Sequence, residues 1–286
     1  MRTGLVMEGG AMRGMFTAGV CDVLMENHIS FDGAIGVSAG AAFGCNYKSN
    51  QPGRAIRYNI RFCDDKRYCS LRSLITTGDL FGADFCYHEI PEHLDPFDKE
   101  TYNNSYMRFF VVCTDVHTGQ PVYKLLKKAD DEMNDYIRAS ASMPAVSRPV
   151  TVDGRTMLDG GISDPIPLRY FEELGYDKNV VILTQPKGYV KKKMRALRVM
   201  ELIMGKYPKL CEALERRHIV YNDTVKYIND RERSGKAFVI RPEAPLGISR
   251  TERDPVKLRN VYNIGRAAAE KALGPLITYV KDSKTI

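Results

Sequence analysis

Two strand–turn–helix units within the first 50 residues constrain the fold of this chain more than any other feature. The apolar run at 3–7 ends in Glu8-Gly9-Gly10, and apolar residues at helical spacing follow from Met12 to about Asn27. A second apolar run, Ala34–Val37, leads through Ser38 into small residues that favour a closely packed helix. Strands that alternate with helices in this way favour a parallel sheet covered by helices.

The same alternation continues along the rest of the chain. Residues 51–105 lack a clean period and are expected to form short helices and loops. Strands are predicted at 108–114, 119–125, 150–158 (a hairpin), 180–183 and 237–240, and helices at 130–141, 168–174, up to 204, up to 229 and 260–281. We therefore predict one domain over residues 1–286 with a three-layer α/β/α fold and a mainly parallel central sheet. Its catalytic core spans about 4–185, and a C-terminal segment of helices and a strand, about 186–286, packs on that core.

Composition excludes several classes of protein. The 286 residues are 44% hydrophobic, and 42 basic against 35 acidic residues give a net charge of +7, which is mild for a nucleic-acid binder. No stretch approaches the roughly 18 apolar residues of a membrane span, and the N-terminus lacks a signal-peptide core. Seven cysteines without a C-x-x-C pair fit a reducing compartment. We expect a cytoplasmic protein that binds no nucleic acid.

The first candidate catalytic residue is Ser38, in the sequence Gly36-Val37-Ser38-Ala39-Gly40. This G-x-S-x-G spacing is typical of a nucleophile elbow, in which Gly36 and Gly40 let the chain turn sharply between a strand and a helix. The N-terminus of the following helix favours the negative charge that develops during attack by the serine. The same spacing also occurs in glycine-rich turns without chemistry, so the assignment depends on partners elsewhere in the chain.

A second glycine turn, at residues 9–14, is the candidate oxyanion hole. Its members are Gly9, Gly10, Ala11, Met12, Arg13 and Gly14. Free backbone N–H groups at a helix start bind anions, and removal of one oxyanion donor costs about 2.7–4 kcal/mol of transition-state stabilisation. A nucleotide-binding turn is the alternative, but the third glycine of G-x-G-x-x-G is out of register and no G-K-[ST] follows.

Asp159 is the best candidate for the base that activates Ser38. It follows an apolar run and precedes Gly160 and Gly161, which form a turn that leaves room above the carboxylate. For this role near neutral pH, partial desolvation has to raise the pKa of Asp159. Among the histidines, His218 follows Ser38 and Asp159 in the chain order of an α/β-hydrolase triad, which stays open as an alternative.

Three motifs together resemble the patatin-like phospholipase family, in particular its bacterial acylhydrolases. They are GGAMRG at 9–14, GVSAG at 36–40 and DGG at 159–161, and their order and spacing match that family. The resemblance covers about Gly4 to Pro167, and the segment at 250–265 is similar to the tail of bacterial members.

The resemblance implies a serine acylhydrolase of the lipase or phospholipase A type. Ser38 is then the nucleophile, Asp159 its partner in a Ser-Asp dyad and the loop at 9–14 the oxyanion hole, with Arg13 supporting the charge. Lipids or other acyl esters are the implied substrates, and neither a cofactor nor a metal is implied. Ala11 departs from the family pattern because a third glycine is usual there. The methyl group narrows the loop, so a non-catalytic protein that binds lipids or anions is the second hypothesis.

The basic segment at 187–198 is a candidate membrane contact. Lys191, Lys192, Lys193 and Arg195 accompany apolar residues at helical spacing, which is typical of an amphipathic element at a lipid surface. The alternative is a solvated helix that covers the core with its apolar side. The expected location is therefore the cytoplasm, with peripheral contact at the inner membrane surface, and no sequence feature specifies an oligomer.

Overall fold

A computed structural model describes residues 1–281 of the chain. Within them eight strands form one sheet: β1 (Arg2–Met7), β2 (Gly33–Val37), β3 (Arg108–Asp115), β4 (Pro121–Leu126), β5 (Val150–Val152), β6 (Arg155–Asp159), β7 (Tyr176–Ile182) and β8 (Ala237–Ile240). The α-helices are α1 (Gly14–Glu26), α2 (Ala39–Lys48), α3 (Arg54–Phe62), α4 (Leu71–Thr77), α5 (Lys99–Asn104), α6 (Asp131–Ala141), α7 (Leu168–Glu173), α8 (Leu197–Met204), α9 (Pro208–Arg233) and α10 (Pro255–Lys281). Shorter 3₁₀ turns and a π-type helix at Phe85–Leu94 complete the regular structure.

The sheet is parallel through most of its width. The strands β3, β2, β1, β7 and β8 lie side by side in that order, and each neighbouring pair is parallel. β4, β5 and β6 join at the β3 end by antiparallel pairing. Parallel neighbours need crossover connections, and helices such as α1, between β1 and β2, supply them. This arrangement confirms the predicted α/β class with a mainly parallel sheet.

Side chains of the central strands alternate between two cores, one on each face of the sheet. In β1, Leu5 and Met7 lie in the core that includes α1, α2 and α10, whereas Val6 lies in the core that includes α7 and α9. All three side chains are fully buried. Burial on both faces explains why these strands are continuous apolar runs in the sequence. Helices on both faces of one sheet confirm the three-layer α/β/α architecture.

The C-terminal part of the chain packs closely against the first helix. α10 lies along α1, and a side chain at Gly265 would place its Cβ only 2.1 Å from the Phe16 carbonyl oxygen. Glycine at this position therefore sets how near the two helices approach. β8 adds a further parallel strand beside β7. Both elements bury surface of the N-terminal part rather than forming a separate core.

Most predicted elements agree with the structure, including β8 at Ala237–Ile240, but the basic segment does not. The sequence favours an amphipathic helix that includes the basic residues at 187–198 and continues through Met204, whereas residues 183–196 are non-helical and α8 begins only at Leu197. Gly188 has φ 83°, which is outside the helical region. The backbone of Lys191 is also tied to α9, since its N–H donates to Asn222 Oδ1 (2.8 Å) and its carbonyl accepts from Asn222 Nδ2 (3.0 Å).

Candidate active site

Ser38 lies in the tight turn that joins β2 to α2. Its backbone has φ 55° and ψ −122°, a conformation that costs a non-glycine residue about 1–3 kcal/mol. The Ser38 N–H donates to Ser140 Oγ (2.9 Å), whose hydroxyl donates to the Val112 carbonyl (2.6 Å). These contacts hold a strained turn in place, as is usual at functional sites.

The glycines on either side of Ser38 let this turn close against the sheet. A Cβ at Gly40 would lie 2.5 Å from the Met7 carbonyl oxygen, and a Cβ at Gly36 would lie 2.5 Å from the Gly40 carbonyl oxygen. Both obstacles are backbone atoms, which have little room to shift. The glycine spacing that drew attention to Ser38 is therefore required by the packing of the turn.

The register in which β2 and β6 pair with β3 brings Asp159 close to Ser38. Val37, the last residue of β2, pairs with Val112, and Asp159, the last residue of β6, pairs with the next residue, Cys113. At these positions β4 pairs with the opposite edge of β3. β2 and β6 therefore lie on the same edge of β3, and their C-terminal ends are adjacent. The Ser38 hydroxyl donates to Asp159 Oδ2 at 2.6 Å. Two residues far apart in the sequence thus meet at two adjacent strand ends.

The Asp159 carboxylate is almost inaccessible to water. It is 2% exposed, and this burial raises the pKa of Asp159 above its ordinary value. The hydrogen bond from Ser38 and the positive charge of Arg217 partly oppose the increase. The second oxygen, Oδ1, accepts the Gly161 N–H at 2.7 Å. The pKa of Asp159 is thus raised, which is the direction that a base acting near neutral pH requires.

The loop at 9–14 lies directly beside the serine. A Cβ at Gly9 would be 3.0 Å from the Ser38 Cβ. Ala11 has φ 49°, in the left-handed region, where an alanine costs roughly 1–2 kcal/mol relative to the right-handed form. The usual glycine at this position would adopt the same φ without that penalty. The departure from the family pattern therefore falls on a residue whose backbone is strained.

Three of the six N–H groups in this loop already have partners within the chain. The Met12 N–H donates to the Arg250 carbonyl (3.4 Å), the Arg13 N–H to the Gly10 carbonyl (3.1 Å), and the Gly14 N–H to the carbonyls of Ala11 and Met12. Of the predicted oxyanion residues, this leaves Gly9, Gly10 and Ala11 as the better candidates for donors.

An apolar cavity of about 490 Å³ adjoins Ser38. Residues from distant parts of the chain form its wall, among them Ala11, Met12, Phe43, Met143, Met200 and Leu214. Its volume lies in the range of small-molecule sites, and its largely apolar wall suits a hydrocarbon chain. The sequence does not predict this wall as a whole, because its residues come from segments that are far apart in the chain and meet only in the folded protein.

Arg217 on α9 contacts the turn that follows Asp159, and it was not among the predicted site residues, whereas its neighbour His218 was considered. Arg217 Nε donates to the Gly161 carbonyl at 2.6 Å, and Gly161 in turn donates to Asp159. The ring of His218 contacts the Glu215 carbonyl instead (3.0 Å). The Ser38–Asp159–His218 triad is therefore not assembled in this structure.

A sequence signal for Arg217 does exist. The buried residues of α9 are Leu210, Leu214, Tyr221, Thr224 and Ile228, which lie three or four positions apart except for one gap of seven. Arg217 falls within this stripe, three residues after Leu214 and four before Tyr221. A basic residue inside an apolar stripe faces the protein and needs a polar partner there, which Gly161 provides.

The basic residues that were predicted to face lipid divide into two groups. Lys192, Lys193 and Arg195 are exposed. Lys191 is instead half-buried, and its Nζ lies 4.2 Å from the centre of the Tyr221 ring. Burial, followed by repulsion from Arg217, lowers the pKa of Lys191 to about 8. Its neighbours on α9 thus draw Lys191 inward, whereas Lys192, Lys193 and Arg195 remain accessible for the predicted membrane contact.

Glu8 lies directly before the loop at 9–14 and bonds to two other parts of the chain. Its Oε1 accepts the Tyr221 hydroxyl (2.9 Å), and its Oε2 accepts the Thr184 N–H (2.5 Å). Burial raises the pKa of Glu8, and these two hydrogen bonds partly oppose the increase. A buried carboxylate thus holds the start of the loop to both α9 and the segment that follows β7.

Residues 1–281 contain neither a candidate metal site nor a candidate membrane-spanning helix. No three histidine, cysteine, aspartate or glutamate side chains in this range are grouped so that they could hold a metal ion. None of the helices in the same range combines the length and the apolar character that crossing a membrane requires.

The fold and the position of this site place the chain in a known class of proteins. The model of the patatin-like phospholipase family matches residues 5–172, which include Ser38, Asp159 and the loop at 9–14. The chain belongs to this family. A second family model, described as a domain of unknown function (DUF6363), matches residues 207–281 and therefore includes Arg217.

Individual relatives match different shares of the chain. YjjU of Escherichia coli is 31% identical over 288 residues, which cover 97% of this chain and 79% of YjjU. Lysophospholipase nte1 of Aspergillus fumigatus is 26% identical over 185 residues, 61% of this chain but 11% of that much longer protein. Among solved structures, VipD from Legionella pneumophila aligns with a TM-score of 0.45 and 13% identity, over 94% of this chain and 67% of the VipD chain.

Proposed function

We propose that this protein is a serine acylhydrolase that cleaves acyl ester bonds of lipids through a Ser38–Asp159 dyad. The 2.6 Å hydrogen bond between Ser38 Oγ and Asp159 Oδ2, beside an apolar cavity, is the observation that carries the proposal. Membership of the patatin-like phospholipase family supports a lipid substrate, and so does the name of the fungal lysophospholipase relative.

Asp159 acts as both base and acid in this mechanism. Ser38 Oγ attacks the acyl carbonyl carbon while its proton moves to Asp159 Oδ2, and the alcohol then leaves with that proton. Water attacks the acyl-serine ester, gives a proton to Asp159, and the carboxylic acid departs as Ser38 recovers its hydroxyl proton. The raised pKa of Asp159 brings the carboxyl nearer to neutral pH, where both transfers are easier.

Backbone N–H groups of the loop at 9–14 stabilise the oxyanion in this proposal. We assign the donors to Gly9, Gly10 and Ala11, because the N–H groups of Met12, Arg13 and Gly14 have partners within the chain. Such donors contribute several kcal/mol where water is excluded. The apolar cavity receives the acyl chain, with the scissile ester at Ser38.

We also propose that the chain works as a single unit in the cytoplasm. Packing of α10 on α1 supports one unit, and seven free cysteines support a reducing compartment. Contact with a membrane surface would use Lys192, Lys193 and Arg195 together with exposed apolar residues of α8. These apolar residues are Val199, Leu202 and Ile203.

The test is labelling with a fluorophosphonate probe, read by intact mass, alongside hydrolysis of a short-chain ester. We expect one adduct on the wild type and none on Ser38→Ala. Turnover should fall by about 10³-fold or more in Ser38→Ala and in Asp159→Asn. Ser234→Ala and Asp223→Asn, which change exposed residues of the same types, serve as controls that keep activity.

Each other outcome points to a different function. Turnover that survives in Ser38→Ala would exclude the dyad. A folded wild type that neither labels nor hydrolyses esters would favour the non-catalytic lipid- or anion-binding protein, which the strained Ala11 beside Ser38 favours as the second candidate.

A further inference from the structure

A second pocket lies at the opposite end of α2 from Ser38. Its wall combines the end of α1 with the residues that follow it, the end of α2, and the segment from α5 to the residue before β3. Its volume is about 470 Å³, and none of its residues also lines the cavity beside Ser38. Since α2 has 10 residues, Lys48 at its end lies about 15 Å from Ser38 along the helix. The two spaces are therefore separate sites.

Lys48, which lines this second pocket, is a buried cation without a partner of opposite charge. Lys48 and Arg54 are the two basic residues among 1–281 that the fold buries, with exposed fractions of 6% and 4%. Arg54 donates to the Asp95 carbonyl (2.6 Å) and to Asn46 Oδ1 (2.9 Å), and it lies 3.4 Å from the Asp95 carboxylate. Its charge is thus balanced within the chain.

The ammonium group of Lys48 contacts an aromatic ring instead. Its Nζ lies 4.3 Å from the centre of the Tyr102 ring, and the Tyr102 hydroxyl is already bonded to the Leu126 carbonyl (3.0 Å). Within residues 1–281, Lys48 Nζ has neither a hydrogen-bond acceptor nor a carboxylate at ion-pair distance. Burial of a charge is costly unless the charge is paired, and the pocket is the space where a pairing group fits.

The other charges on the wall of the pocket leave Lys48 unneutralised. Glu100 and His28 also line it, and both are exposed. Burial lowers the pKa of Lys48, and no carboxylate opposes this decrease. An anion beside Lys48 would therefore stabilise its charged form. The wall also includes apolar side chains, which suit the hydrocarbon part of a ligand. They are Met25, Ile29, Phe31 and Met107.

We infer that this pocket binds a small monocarboxylate, whose carboxylate pairs with Lys48 and whose hydrocarbon part contacts the apolar wall. One ammonium group balances one carboxylate. A phosphate group carries about two negative charges near neutral pH, which would leave an excess of negative charge in a pocket that Glu100 also lines. The inference goes beyond the proposed hydrolase function and does not depend on it, because the two sites share no residue.

The first test is calorimetric titration of hexanoate and of hexan-1-ol into the full chain at constant ionic strength. We expect hexanoate to bind at least about tenfold more tightly than the neutral alcohol, since a hydrogen bond between charged groups is stronger than one to a neutral group. Equal affinity for the two compounds would overturn the inference, and so would the absence of measurable heat with hexanoate. Neither comparison requires a variant that has to fold.

Two variants locate the binding in this pocket. Lys48→Met keeps much of the side-chain volume but removes the charge, and it should weaken hexanoate binding by at least about tenfold. Ser30→Leu keeps the charge but extends an apolar side chain from a half-buried wall residue into the pocket, so it should also weaken binding. Lys226→Met and Ser234→Leu make the same changes at exposed positions outside the pocket and should bind as the wild type does.

Hexanoate that enters the cavity beside Ser38 is recognised by its indifference to these changes. Such binding would remain in Lys48→Met and Ser30→Leu, because neither residue lines that cavity. If both variants are folded by circular dichroism and bind hexanoate with wild-type affinity, the inference is wrong. Tighter binding of hexyl phosphate than of hexanoate, lost in Lys48→Met, would overturn the assignment of a carboxylate. Loss of ester hydrolysis in Ser38→Ala with unchanged hexanoate binding would show that the two sites are independent.

Discussion

The N-terminal and C-terminal regions bring residues to the site in different ways. In the N-terminal region, Ser38 and Asp159 are held by backbone register, at adjacent ends of two strands that share one edge of β3. In the C-terminal region, Lys191 and Arg217 reach the same place as long side chains from a loop and a helix. Reacting atoms need positions accurate to fractions of an ångström, whereas a charge acts over several ångströms. Backbone placement therefore suits the dyad, and flexible side chains are sufficient for the cations.

The strongest test of this comparison is to separate the two regions. Residues 1–182 alone should not fold cooperatively, because removal of α10 exposes the face of α1. Leu258, Val261 and Leu276 of α10 are nearly fully buried. Their burial contributes about 1.5–3 kcal/mol each, comparable in sum with the total stability of many domains.

Thermal unfolding followed by circular dichroism measures this effect. Co-expression of residues 183–286 should restore a folded complex that labels at Ser38. A cooperative transition and normal labelling of residues 1–182 alone would show that the N-terminal region is an independent domain.

A second prediction concerns the exposed cations of the C-terminal region. Replacement of Lys192, Lys193 and Arg195 by alanine should weaken binding to anionic vesicles by roughly a hundredfold, since each basic residue near such a surface contributes about 1 kcal/mol. Co-sedimentation with vesicles in a Ser38→Ala background avoids hydrolysis of the lipid.

The control removes three other exposed charges, at Lys226, Lys257 and Arg259. Equal loss of binding in both triple variants would indicate an effect of net charge alone. Unchanged binding in the first variant would mean that this surface does not contact lipid.

A third prediction asks whether Arg217 acts on the dyad through its charge. Arg217 lowers the pKa of Asp159, so Arg217→Met should raise that pKa further. The base must be ionised to accept the serine proton, and the acidic limb of the kcat/KM profile should therefore move to higher pH. At a pH within that limb, displacement of the limb by about one pH unit lowers the rate about tenfold.

The pH–rate profiles of three variants test this role. Arg216→Met removes an exposed neighbouring charge and should leave the profile in place, whereas Arg217→Lys should restore part of the wild-type position. An acidic limb that stays in place in Arg217→Met would restrict Arg217 to a structural role. A profile for the wild type that is flat from about pH 4 to 9 would argue against Asp159 as the base.

The smallest expected effect is at Ala11. Ala11→Gly should remove about 1–2 kcal/mol of backbone strain in the left-handed conformation. The greater conformational freedom of glycine in the unfolded chain should lower the free energy of unfolding by roughly 0.5–1 kcal/mol. The net gain, up to about 1 kcal/mol, should raise the Tm by roughly 1–4 °C. Calorimetry is suitable for a change of this size.

Ala267→Gly supplies a control of opposite sign. This residue is exposed within α10, where glycine should lower stability by about 1 kcal/mol. A lower Tm for Ala11→Gly would mean that the methyl group makes packing contacts that exceed the strain. Ester turnover of Ala11→Gly also shows whether the alanine limits the oxyanion loop.

The basic segment shows where prediction from the sequence fails. Its alternation of charged and apolar residues favours a helix, yet Lys191 is tied to Asn222 on α9 and helical structure begins at Leu197. Arg217 shows the converse, because its place in the apolar stripe of α9 was visible in the sequence. In both places a contact with another element decides the outcome, and local periodicity carries no information about that contact.

The sequence by itself determined the strands, most of the helices and the turns at Gly36–Gly40 and at residues 9–14. Apolar periodicity and glycine at crowded backbone positions are local properties, so they can be identified one segment at a time. Only the tertiary structure decided that the strand ends of Ser38 and Asp159, 121 residues apart, lie side by side and that Arg217 contacts Gly161 in the turn after Asp159. These contacts depend on which edge of β3 accepts β6 and on how α9 is rotated against the sheet. Both are set by the packing of the whole chain.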